Sequence, residues 1–140
     1  MTPVPAAGYS GTPLAAKLGI RPRARVALVG APADAGEWLE PLPEGAQVSR
    51  AARGRDLDVI VVFTRRRDDL ERRIGALLPK LAPAGGLWVA WPKKAAGVAT
   101  DLTENVVREV GLAAGVVDNK VCAVTDVWSG LRFVRRLRDR

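Results

Sequence analysis

Apolar residues along this chain fall into two rhythms. RVALVG (25–30), LDVIVVFT (57–64) and LWVAWP (87–92) are short continuous apolar runs, the strongest of the β type being LDVIVVFT with its β-branched residues. Runs of this length predict strands buried on both faces, as in the centre of a parallel sheet. AQVSRA (46–51) is a weaker strand and belongs toward an edge. The other rhythm has a period near 3.6. Leu70, Ile74, Leu77, Leu78 and Leu81 share one helical stripe, and Leu102, Val106, Val107 and Val110 share another.

Punctuation sets the element limits. Asp68 with Glu71, and Asp101 with Glu104, have capping-box spacing and predict two helix starts. Pro79 kinks or ends the first of these helices, and Gly111 or Gly115 stops the second. Thr12-Pro13 predicts the start of a short helix, PLAAKL, which stops at Gly19, and GEWLEPL allows a turn or so of helix before Pro43. PAGG (83–86) reads as a turn into LWVAWP. NKVCAVTDVWSGLRFVRRL (119–137) reads as two antiparallel strands joined by a tight connection at Asp126–Gly130. Alternating strands and helices give an α/β fold with three layers and a mostly parallel sheet, closed by a C-terminal antiparallel strand pair. Residues 1–12 are expected to be a loosely ordered tail and 13–140 a single domain, in keeping with the length of 140 residues.

Composition narrows the chemistry. The chain has no histidine and one cysteine, Cys122, inside the apolar run VCAV. Triads, zinc sites and internal disulfides are therefore set aside, no metal is expected, and Cys122 is read as a small buried hydrophobe. Lysine and arginine outnumber aspartate and glutamate by 22 to 15, a formal charge of +7. Such a surface attracts anions, acidic protein faces or nucleic acid, although arginine-rich composition also serves solubility alone. No apolar run nears the roughly 20 residues that span a bilayer, and the first residues lack a basic and then apolar leader, so no membrane partner and a cytoplasmic location are expected.

Two resemblances follow from the residues. The element order, with the turn LAPAGGLWVAW and the terminal strand pair, resembles the later half of class I S-adenosylmethionine-dependent methyltransferases over residues 25–137, which implies a Rossmann-like fold. That family carries a Gly-rich loop after its first strand and an acidic residue ending its second, the latter for the ribose hydroxyls. Here the first strand runs into Gly30-Ala31-Pro32-Ala33-Asp34-Ala35-Gly36 and the second into Ser49-Arg50, so no cofactor is expected. Separately, AGYSGTPLAAKLGI, WPKKAAGVATDLTENVVREVGL, DNKVCAV and WSGLRFV resemble an uncharacterised bacterial domain family, a likeness that brings no ligand or catalytic residue.

Ligands of open α/β sheets sit outside the carboxyl ends of the strands. The candidate site there comprises Lys93 and Lys94 as anion contacts, Trp91 and Trp128 as stacking faces, and Arg65, Asp126 and Ser129 on neighbouring loops. Each has a plainer role: solvated lysines, a core tryptophan, an Arg65–Arg67 run neutralised by Asp68, Asp69 and Glu71, and Asp126 bonding its own turn. Trp88 and Trp91 are three apart and should point to opposite faces. No catalytic residue is assigned. These features favour a non-catalytic binding or regulatory module for an anionic small molecule or acidic partner. The alternatives are a divergent S-adenosylmethionine-dependent transferase and a nucleic-acid-binding protein, and pairing of two copies is compatible with either.

Overall fold

In the computed structural model, which describes residues 12–140, six strands form one sheet. They are β1 (Arg25–Val29), β2 (Gln47–Ser49), β3 (Leu57–Phe63), β4 (Leu81–Pro92), β5 (Val116–Ala123) and β6 (Trp128–Arg135), in the order β2-β1-β3-β4-β6-β5. β2, β1, β3 and β4 run parallel, and β6 lies antiparallel between β4 and β5. The helices are α1 (Leu14–Lys17), α2 (Ala35–Trp38), α3 (Arg67–Leu77) and α4 (Glu104–Ala113). None of the described helices is long and apolar enough to cross a membrane.

The sheet is covered on both faces. On one, Leu70, Ile74 and Leu77 of α3 and Val107 and Val110 of α4 pack with Trp91 and Phe133. On the other, Leu14 and Leu18 from the α1 segment and Ala35 and Leu39 from the α2 segment pack with Trp88 and Phe63. Trp88 and Trp91 thus separate to opposite faces, as the pleat requires. Trp88 is fully buried, and its indole Nε1 donates to the Leu18 carbonyl at 3.0 Å, which ties α1 to the sheet.

Several expected boundaries moved. PAGG is not a turn: β4 already pairs with β3 at Leu81. Between Leu57 and Val59 the partner changes from Leu81 to Gly86, so β4 advances five residues while β3 advances two and the excess bulges out. A bulge is where a strand tolerates Pro83. Gly85 is needed there because a Cβ would sit 3.0 Å from the carbonyl oxygens of Leu57 and Asp58. Neither capping box forms. α3 starts behind Arg66, two residues earlier than an Asp68 cap allows, and the Arg67 amide donates to Asp101 Oδ1 at 2.8 Å. Asp101 therefore caps a neighbouring helix. Its own helix is capped by Thr103, whose Oγ1 accepts from the Val106 amide, since starting after the buried Leu102 keeps the apolar stripe inward. Pro13, not Thr12, stands at the α1 cap. The tail expected over 1–12 lies almost wholly outside the described residues.

Gly111 does not stop α4. It lies inside the helix because Phe133 occupies the place of its side chain, and the chain turns at Gly115 with φ +96°. Cys122 is partly buried on edge strand β5, and burial raises its thiol pKa against the opposing charges of Lys17 and Lys120. A methyl on Gly111 would lie 2.5 Å from Phe133 Cζ. Gly111→Ala, worth about 1 kcal/mol of stabilisation in an open helix, is expected instead to destabilise by roughly 1 to 3 kcal/mol through overpacking. Urea denaturation read by circular dichroism checks the sign.

Candidate functional site

β1 and β3 leave the sheet side by side, and the separation of their exits is set by a glycine. Gly30 has φ +66°, and a Cβ there would lie 2.9 Å from the Phe63 carbonyl oxygen, so a side-chain-bearing residue would push the two strand ends apart. The loop after β1 is held from β2: Arg50 Nη2 donates to the carbonyls of Ala31 at 2.9 Å and Pro32 at 2.7 Å. Beyond these exits opens a cleft of about 650 Å³ bounded by Gly30, Phe63, Thr64, the start of α3 and Trp128. That volume suits a ligand of nucleotide size.

One wall is polar and centres on Asp69. Buried Thr64 donates from Oγ1 to Asp69 Oδ2 at 2.7 Å, Arg73 Nε reaches both carboxylate oxygens at 2.9 and 3.0 Å, and Arg72 pairs with Oδ1. Partial burial pushes the Asp69 carboxyl up, but the bonds from Thr64 and Arg73, with the charges of Arg73 and Arg72, outweigh it and hold its pKa below the usual value. Asp68, in the open, is also held low, chiefly by Arg66. The opposite wall is aromatic. Trp128 meets Phe63 edge-on with ring centroids 5.1 Å apart, and Trp38 also meets Phe63 edge-on, at 6.2 Å.

A smaller hollow of about 370 Å³ adjoins the cleft, between Arg65, Arg66 and the segment Ala99–Asp101. Here the loop after β4 is fastened to the loop after β3, since Thr100 Oγ1 and the Asp101 amide both donate to the Arg65 carbonyl. Arg65 stands where the two concavities meet.

Of the residues singled out from sequence, Arg65 and Trp128 line the cleft, and Trp91, Lys93, Lys94, Asp126 and Ser129 do not. Trp91 is 5 % exposed in the α3/α4 core, so it offers no stacking face. Ser129 pairs in register with Trp91 and so lies on that same face of the sheet. The Lys93 amide continues the β4–β6 pairing by donating to the Val127 carbonyl at 2.7 Å, and Lys94 then opens a 3-10 turn, Lys94–Ala96, which carries both away from the cleft lining. Trp128 and Ser129 belong to β6 and not to a loop. The turn before them is bonded by Thr125, whose Oγ1 accepts from the amides of Val127 and Trp128, while Asp126 stays exposed. Thr64 and Asp69 were missed. Their signal was a threonine ending the strongest strand, five residues before an aspartate in the first turn of the next helix. Among the described residues no group of three or more histidine, cysteine, aspartate or glutamate side chains is placed to hold a metal ion.

No protein-family model and no curated protein matches the chain, so the resemblance to a bacterial domain family finds no support there. Solved structures do match. A SAM-dependent methyltransferase from Aquifex aeolicus superposes with TM-score 0.58 at 13 % identity, covering 86 % of each chain. Fibrillarin from Aeropyrum pernix, in complex with S-adenosyl-L-methionine, gives 0.60 at 11 % identity over 91 % of this chain and 76 % of its own. The 1,6-didemethyltoxoflavin-N1-methyltransferase of Burkholderia thailandensis, with bound S-adenosylhomocysteine, gives 0.60 at 16 % identity over 87 % and 74 %. The chain therefore has the Rossmann-like fold of S-adenosylmethionine-dependent methyltransferases. The expectation that no cofactor is taken is overturned by these neighbours, two of which carry bound S-adenosyl-L-methionine or S-adenosylhomocysteine.

Asp69 supplies a test of the polar wall. Its carboxylate stays charged to lower pH in the folded than in the unfolded chain. Its contribution to stability is therefore complete above about pH 4 and is lost as pH falls through the folded value. Asp69→Asn is expected to lower stability at pH 7 by roughly 1 to 3 kcal/mol and to flatten the loss of stability below about pH 4. Thermal melts of both proteins from neutral to acid pH measure this.

Proposed function

We propose that this chain is a divergent S-adenosylmethionine-dependent transferase whose cofactor lies in the cleft at the carboxyl ends of β1 and β3. What carries the reading is that the 650 Å³ cleft opens at this edge of a sheet shared with methyltransferases that hold the cofactor or its product. The residues fit most of such a guest. Its amino-acid end bears a carboxylate and an ammonium, and the cleft presents the guanidinium of Arg65 and the carboxylate of Asp68. Trp128, half-exposed beside Phe63, offers a face to a ring or to a sulfonium cation. Gly30 leaves room for close approach at the β1 exit. The divergence is at the ribose end, where Ser49-Arg50 supplies no carboxylate and Arg50 is spent on the loop after β1.

The cofactor would supply an electrophilic methyl group on sulfur. The chain's own groups restrict what could receive it. Asp69 is occupied by Thr64, Arg72 and Arg73, and Asp68 is held low by Arg66, so both carboxylates are weak bases. An acceptor that is already nucleophilic, such as a carboxylate or ring nitrogen, suits this cleft better than an alcohol that must first lose a proton. The same weakness favours a second reading, a regulatory module that binds at the cleft without turnover. Incubation with methyl-labelled cofactor and cell extract separates them: label moved to an acceptor supports transfer, and cofactor recovered intact supports the module.

Calorimetric titration is expected to give S-adenosylmethionine or S-adenosylhomocysteine binding between about 1 μM and 1 mM, with Trp128→Ala weakening it about ten-fold through loss of the stacking face. No heat at millimolar cofactor would remove the proposal.

A further inference from the structure

The amino edge of the sheet, opposite the cleft, has a concavity of its own, of about 490 Å³. One side is the connection from α1 into β1, Gly19 to Ala24, with Arg21 and Arg23 exposed on it. The other is the β4 bulge, Ala82 to Gly85, with Asp58 of β3. Arg132 reaches in from β6. It pairs in register with Trp88 and so lies on the α1 face, and its guanidinium rests over Gly86, where a Cβ would come within 2.8 Å of Nη2 and 2.9 Å of Cζ. The missing side chain at Gly86 is what gives the guanidinium its place.

This guanidinium lacks a counter-charge. Among the described residues no carboxylate is within ion-pair distance of Arg132, Arg21 or Arg23, whereas Arg66, Arg67, Arg72, Arg73 and Arg108 are all in ion pairs. Arg132 has one long bond, Nη1 to Asn119 Oδ1 at 3.4 Å. Asp58, the acid in the lining, accepts from the Arg25 amide at 2.8 Å. Burial, and then Arg140, depress the Arg132 pKa, yet a guanidinium remains charged at neutral pH. A half-buried cation facing a concavity with two more guanidinium-bearing residues on its rim is relieved by an anion of matching charge.

We propose that the concavity between Arg21, Arg23 and Arg132 at the amino edge of the sheet binds the phosphate group of a small phosphorylated molecule. Phosphate is favoured over a carboxylate because the concavity, about 490 Å³ and lined by three arginines, is larger than one carboxylate fills, and a dianion can accept from more than one guanidinium. The site is independent of whatever occupies the carboxyl-edge cleft.

Titration calorimetry with inorganic pyrophosphate tests it on four proteins: wild type, Arg132→Gln, Arg21→Ala/Arg23→Ala, and Arg65→Ala/Arg66→Ala at the opposite edge. The wild type is expected to bind, each amino-edge variant to bind at least about ten-fold more weakly, and the opposite-edge variant to match the wild type. Arg21 and Arg23 are exposed, so their variant tests the site even if Arg132→Gln fails to fold. No binding to wild type at about 10 mM, equal affinity in the wild type and the Arg21/Arg23 variant, or loss confined to the Arg65/Arg66 variant would each overturn the proposal.

Discussion

The pleat of β4 is the constraint on which the rest depends. Trp88 and Trp91 stand three positions apart, so one tryptophan goes to each face of the same strand, and each becomes the centre of a separate core. The indole of Trp88 holds α1 through the Leu18 carbonyl, and Trp91 packs under α3 and α4. With both faces of β3 and β4 covered, the two concavities lie where these strands end. The carboxyl edge opens beside Gly30 and Phe63, and the amino edge beside Gly85 and Arg132.

Glycine acts at both edges by letting something else come close. At Gly30 it is the Phe63 carbonyl, which brings two strand exits together, and at Gly86 it is the guanidinium of Arg132. The same logic applied to Gly111 brings a ring of Phe133 against α4 and has nothing to do with a ligand. A glycine therefore identifies a site only when what fills its space is polar and faces an opening. The net charge of +7 divides along similar lines. On α3 and α4 the arginines are neutralised within about one turn by Asp69, Glu71 and Glu104, and of the RRR run Arg66 and Arg67 are in ion pairs while Arg65 lines the cleft. The uncompensated charge collects at turns such as Arg21–Arg23.

Much of this was legible in the chain. The strand runs, the centres of the two helical stripes, the edge position of AQVSRA and the antiparallel end pair follow from periodicity, because burial of a face is a repeated requirement that many residues report together; Leu78 and Leu81 fall beyond α3, and Leu102 before α4. Helix starts were not legible. Asp68 and Asp101 both have the right spacing, yet a carboxylate can serve any nearby amide, and Asp101 serves Arg67 across the gap between two helices. The site was legible only as an edge. Arg65 and Trp128 fell in the cleft, whereas Lys93 and Lys94 left it because the chain after Pro92 keeps pairing with Val127 before it turns. A single hydrogen bond of that kind has no signature in the sequence. Neither does Asp69, whose importance comes from Thr64, five residues before it, being buried beside it.

The two edges are far enough apart to work separately. β3 spans seven residues from Leu57 to Phe63, which at about 3.3 Å per residue puts its ends some 20 Å apart. No metabolite-sized guest bridges that distance through a packed core, and substitutions at Arg21 or Arg132 should act independently of those at Trp128. Communication between the edges would have to pass along β3, β4 or β6. The central parts of these strands are fully buried, with Ile60, Val62, Val89 and Phe133 at 0 % exposure. Close-packed strands of this kind transmit displacement but have little room to adopt a second arrangement. The architecture thus favours two separable binding functions over one site regulating the other.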